Sequence, residues 1–91
     1  MINGVNCDKL DLTDNFIKDI TFIHCNIGEL ILVNNSLKEI NFIECTIRKL
    51  NLSLNKLTEI TNLPDGIVEL NLSSNKIHAS YDLPKSMKFR D

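Results

Sequence analysis

Tryptophan is absent from this 91-residue chain, aromatic residues make up only 5% of it, and it has three glycines and two prolines. The apolar share of 43% is therefore carried mostly by Leu and Ile. With so little Gly and Pro, turns have to be built from the abundant Asn, which tolerates left-handed backbone and bonds to nearby amides. A formal net charge of −2 supplies no basic field, which argues against nucleic acid as a partner. No apolar run approaches the length of a membrane span, so no membrane association is expected. The opening MINGVNCDKLDL places no cationic segment ahead of an apolar run, so no secretory signal is expected either. Three cysteines is an odd number and none sits in a CxxC pair. That speaks against a secreted disulfide framework and for a reducing, cytoplasmic setting. The length allows one small domain, near the size at which a single core is only marginally sufficient.

What the chain does have is a repeat. On a period of 20, CDKLDLTDNFI from Cys7 is followed by IGELILVNNSL from Ile27, IRKLNLSLNKL from Ile47 and IVELNLSSNKI from Ile67. Each copy reads apolar-x-x-Leu-x-Leu-x-x-Asn-x-apolar, with no gap between copies. A weaker layer restates the frame ten residues out of phase. It reads Ile20-x-Phe22-x-x-Cys25-x-Ile27 and Ile40-x-Phe42-x-x-Cys45-x-Ile47, loosening to ITNLPDGI at 60–67.

These copies resemble the leucine-rich repeat family, whose core signature is LxxLxLxxNxL, and the resemblance covers nearly the whole chain. LPDGIVELNLSSNKI at 63–77 looks like the short repeats of bacterial effector proteins. FIHC and FIEC, at 22–25 and 42–45, are more similar to two-half (IRREKO-like) repeats of ten plus ten residues. The resemblance implies a β-rich solenoid, a right-handed coil of about four 20-residue turns in one domain over 1–91. Parallel strands would line the concave side, with short extended segments and no full helix on the convex side. The frame divides the chain into an N-terminal half-repeat 1–9, repeats 10–29, 30–49 and 50–69, and a last repeat with a C-terminal cap at 70–91. In that cap Ser80 and Arg90 stand where the frame asks for apolar residues.

In such a strand the paired leucines face inward and their neighbours face out. Asn15, Asn35, Asn55 and Asn75 fall where the chain turns away, and stacked asparagines can bond the amides that the turn leaves unpaired. Cys25 and Cys45 take the same ladder position in the second half-turn, where an inward thiol acts as a small apolar group with a weak donor. His24 and Glu44 beside them should face solvent. Among the apolar columns of that half-turn, Ile23, Ile43, Leu63 and Leu83 form the complete one and should point inward. Phe22 and Phe42 would then be partly exposed, or share the core in a wider turn. An end turn needs a cap. The N-terminal edge, with Ile2, Val5, Cys7 and Leu10 in frame, is expected to be the less protected end and a place for homo-oligomer contacts.

The outward residues read as columns. Lys9, Glu29, Lys49 and Glu69 alternate in sign, which helps to fix register. The remaining concave-face columns are Asp11, Ile31, Asn51 and Asn71; Thr13, Val33, Ser53 and Ser73; and Asp14, Asn34, Leu54 and Ser74. They are small and polar apart from Ile31, Val33 and Leu54, which mark a mild contact surface. On the opposite side the acidic column Asp19, Glu39 and Glu59 reads as a solvated face. No phosphate loop, GxSxG, HExxH or EF-hand spacing is present. His24 and His78 are far apart in the stack, and nothing groups acids, Ser and His into a relay. No enzyme activity, cofactor or metal is expected. The resemblance implies a non-catalytic module that recognises another protein; the alternative is a structural solenoid that stacks through its ends. Richness in Ile, Asn and Lys is what an AT-rich genome gives, which points to a pathogen or virus and to the host cytoplasm.

Overall fold

A strand whose inward leucines alternate with polar residues buries only one edge, and it finds its partner in its own copy one period later. The computed structural model of the chain describes residues 1–60, 62–77 and 88–90. Its strands are β1 (Ile2–Asn3), β2 (Asn6–Asp11), β3 (Asp19–Ile23), β4 (Asn26–Ile31), β5 (Glu39–Ile43), β6 (Thr46–Asn51), β7 (Glu69–Asn71) and β8 (Lys88–Arg90). All pairings are parallel, in a five-stranded sheet of order β2-β4-β6-β7-β8 and a three-stranded sheet of order β1-β3-β5. No helix occurs among the described residues. The result is a β-solenoid of about three turns at a spacing of about 20 residues, slightly fewer turns than the repeat count suggests. The side opposite the long sheet is itself a hydrogen-bonded sheet, more regular than isolated extended segments.

Registers follow the repeat. Leu10 pairs with Leu30, Leu30 with Leu50 and Leu50 with Leu70, each exactly one period on in sequence. The inward residues of both sheets meet in one core that includes Ile27, Leu30, Leu32, Ile47, Leu50, Leu52, Leu70 and Leu72. Each fully buried leucine of this kind contributes about 1.5–3 kcal/mol relative to exposure. At the last strand the spacing shortens: Phe89 takes the register position opposite Leu70, and Arg90 falls opposite Asn71. Arg90 therefore does not occupy an inward-leucine position as the 20-residue frame places it, because one residue is lost before β8. Ser80 lies outside the described residues.

The short sheet corrects the sequence reading of its inward column. Phe22 is fully buried and Phe42 nearly so, with ring centroids 5.6 Å apart and planes 16° from parallel. Ile43 is 46% exposed and Ile23 is half-buried. Two stacked rings bury more apolar surface than two isoleucines, so the strands turn the phenylalanines inward. The Ile23/Ile43/Leu63 column also loses its meaning at the third turn, which has a different shape.

That change of shape has a local cause. Corners of the solenoid are made by residues at positive φ: Asp14, Asn34, Leu54 and Ser74 after the long sheet, and His24 and Glu44 after the short one, with φ of 51–61°. The next corner in this series would be residue 64, which is Pro. Proline is held near φ −65° and cannot make it. The left-handed residues appear instead at Asn62 (φ 53°) and Gly66 (φ 79°), and the short sheet ends at β5. Gly28 marks a second local constraint. A Cβ there would stand 2.6 Å from the carbonyl oxygen of Asp8, although Arg48 and Val68 occupy the equivalent places one and two turns on.

Candidate interaction surface

The residues that look like one surface in the sequence divide into three groups in the structure. The first holds the turns together from inside. Asn35 accepts from the Asn15 and Ile17 amides, and its Nδ2 donates to the carbonyls of Leu12, Leu32 and Val33 at 3.1–3.4 Å. Asn55 accepts from the Leu37 amide and donates to Leu32, Leu52 and Ser53. Asn75 accepts from Leu57 and donates to Leu52, Leu72 and Ser73. The carbonyls of Leu32 and Leu52 each receive two asparagines from successive turns. Asn15, at the end of the row, is exposed and its side chain reaches only the Thr13 carbonyl.

The cysteines repeat this scheme in the other half-turn. The Cys45 thiol donates to the Phe22 and Ile43 carbonyls, both at 3.3 Å, and its sulfur lies 3.4 Å from the Cys25 amide. The Cys25 thiol reaches the carbonyls of Ile2 and Ile23. The sequence offsets match those of the asparagines, bonding 23 and 2 residues back. Cys7, Cys25 and Cys45 are free thiols, the last two buried and Cys7 half-buried. Among the described residues no three His, Cys, Asp or Glu side chains come together as a metal site. On treatment of the folded protein with a water-soluble thiol reagent, Cys7 should react first. Cys25 and Cys45 should react only as the chain unfolds; fast native reaction of all three would contradict the burial.

A second group is polar and outward but occupied with itself. Asp11 Oδ1 accepts from the Thr13 hydroxyl at 2.6 Å and from its amide at 3.0 Å. Asn51 holds the Ser53 amide, and Asn71 holds both the amide and hydroxyl of Ser73. Each is a local side-chain clamp two residues long, closing the strand end against fraying. The Thr13 hydroxyl and amide, with Lys9 nearby, hold the Asp11 carboxyl below the usual carboxylate range. Asn34 Nδ2 in turn donates to Asp14 at 2.6 Å. The D-x-T and N-x-S spacings are the sequence signal of these clamps.

The third group has no such partners. In the second turn the clamp positions are Ile31 and Val33, and both are half-buried on the outward side. Val33 stands beside Ser53, since the Asn34 amide bonds the Ser53 carbonyl, and Leu54 is the next residue on that neighbouring turn. Leu54 is 51% exposed and sits at φ 57°. Below this patch the long sheet carries a shallow hollow of about 260 Å³ lined by Glu29, Lys49, Leu50, Asn51, Glu69 and Asn71. The sign-alternating column is adjacent in register, Lys9 to Glu29, Glu29 to Lys49 and Lys49 to Glu69. These charges do not close into contact; among the described residues the ion pair within 4.0 Å is His24–Glu44, at 3.4 Å and well exposed. The two residues stand one period apart at equivalent corners of successive turns, and that spacing is the sequence signal of the pair.

Comparison with protein-family models, with curated proteins and with solved structures finds no match.

Proposed function

We propose that this chain is a non-catalytic protein-interaction module whose long parallel sheet presents Ile31, Val33 and Leu54 to another protein. Its repeat is the short leucine-rich type, between the bacterial-effector and two-half forms. The observation that carries this reading is Leu54. The corner it occupies is filled by Asp14, Asn34 and Ser74 in the other turns. Short polar residues of that kind tolerate the left-handed region, whereas a leucine there is strained by about 1–2 kcal/mol. A residue that is both strained and half-exposed gains little from the fold, so its value lies in contact with something else. The polar rim around it and the shallow hollow below suit a protein surface better than a small molecule. The setting is cytoplasmic, that of the host if the source is a pathogen or virus.

Leu54→Asn is expected to raise the unfolding temperature by a few degrees while weakening partner capture. Val33→Asp should weaken capture with the fold kept. The measurement is affinity capture from host-cell lysate, paired with circular dichroism melts. Identical partners on wild type and both variants would reject this surface.

A second reading rests on the N-terminal end of the stack. There Ile2, Val5, Leu10, Leu12 and Ile17 are only partly buried against the core, and Phe16 is 88% exposed at φ 56°. The apolar side of the first turn is only partly covered among the described residues, which favours self-association at this edge.

A further inference from the structure

Among the described residues β2 is one edge of the long sheet, with β4 on its other side. Its straight part runs from Lys9 to Asp11, in unbroken register with Glu29, Leu30 and Ile31. Just beyond it, the Leu12 amide donates to the Ile31 carbonyl, into the stack. Backbone groups alternate sides along a strand, so those of Leu10 also face the stack while those of Lys9 and Asp11 face outward. The open edge therefore offers two amides and two carbonyls, spaced two residues apart. An unpaired row of this kind is a template for another strand.

The side chains specify which strand. Outward positions flanking the inward leucine carry Lys9 and Asp11 in the first turn, but Glu29 and Ile31, Lys49 and Asn51, and Glu69 and Asn71 in the others. Opposite charges two residues apart occur only in the edge strand. In the parallel stack Lys9 faces Glu29 but Asp11 faces Ile31, so the neighbouring strand matches only one of the two charges. An antiparallel partner centred on Leu10 sets position 9 opposite position 11, twice. Resting on the self-association reading above, we propose that two copies of this chain pair antiparallel through their β2 edges, about a two-fold axis at Leu10. Each Lys9 then lies opposite Asp11 of the second copy, with four backbone hydrogen bonds exchanged between residues 9 and 11. The two Leu10 residues form the close, non-hydrogen-bonded pair at the centre, with Cα atoms about 4.5 Å apart. Leu10 meets Leu10 of the second copy with Leu12 as its diagonal neighbour, so these half-buried leucines lose solvent at the interface. Such an interface uses one patch on both partners and closes at two copies, so no filament follows.

The test is the mass in solution of the full chain over a concentration series, by light scattering after size-exclusion chromatography, with circular dichroism confirming the fold of each variant. Wild type should form a dimer that grows no further. Lys9→Asp and Asp11→Lys should each weaken it at least about tenfold, because two attractive cross-strand pairs become two repulsive ones. The double variant Lys9→Asp/Asp11→Lys should restore it. If Asp11→Lys disturbs its own turn through loss of the Thr13 contacts, a second probe remains. Leu10→Cys in a Cys7→Ser background should give a disulfide-linked dimer under mild oxidation. A wild type that stays monomeric at every concentration overturns self-association itself. A dimer indifferent to both charge reversals, a double variant that stays monomeric, or growth beyond two copies overturns this mode of pairing while leaving self-association in place.

Discussion

Asn55→Ala is expected to lower the unfolding free energy by about 3–5 kcal/mol, while Asn15→Ala should cost about 1 kcal/mol or less. Both residues hold the same place in the repeat, so sequence alone ranks them equal. The structure does not. Removing the Asn55 side chain leaves the buried Leu37 amide with no acceptor and takes one of two donors from each of the Leu32 and Leu52 carbonyls. An orphaned buried amide alone costs about 1–3 kcal/mol, and the lost donations add to it. Asn15 is exposed, and water replaces its single donation to Thr13. A chain of this size has a total stability of about 5–15 kcal/mol, so loss of Asn55 brings it close to unfolding. Urea titration of the two variants decides the point, read at constant m-value. Equal midpoints would mean that the asparagine row is not a mutually dependent set of bonds.

The second large effect belongs to the short sheet. Phe22→Ala should cost about 3–5 kcal/mol, since it empties a fully buried site and strips Phe42 of its stacking partner. Ile43→Ala, one strand over on the outer side, should stay below about 1 kcal/mol. The pair of variants tests which column faces the core. If Ile43→Ala proves the costlier of the two by thermal or chemical unfolding, the orientation of these strands is wrong.

Much of the architecture is legible in the sequence because the period is short and unbroken. The leucine pairs at 30/32, 50/52 and 70/72 leave one way to face inward, and the asparagines mark the corners that follow. What could not be read has physical reasons. Phe22 and Ile23 are adjacent and both apolar, so periodicity alone does not rank them; the choice is made by ring stacking between two turns. The end of the short sheet depends on the φ angle that Pro64 forbids, and a column drawn through residues 63 and 83 passes over that break. On the candidate surface, Asp11, Asn51 and Asn71 look like free polar groups until their bonds to Thr13, Ser53 and Ser73 are seen. Leu54 stands out only once its backbone angle is known, since a single exposed leucine is ordinary.

The proline corner reaches beyond its own geometry. Because the short sheet has no strand after β5 among the described residues while the long sheet continues through β7 and β8, the third turn is held on the proline side by the isolated Thr46–Asp65 bridge and a few backbone bonds in place of a paired strand. Amide exchange should reveal this as a lopsided opening. Hydrogens in the stretch 62–68 should be replaced by deuterium well before those of Leu70 and Leu72, with the middle turn, flanked by rungs on both sides and zipped by shared leucine carbonyls, the slowest of all. The chain would then come apart as a hinge does, swinging from one side, and not by shedding whole turns from its end.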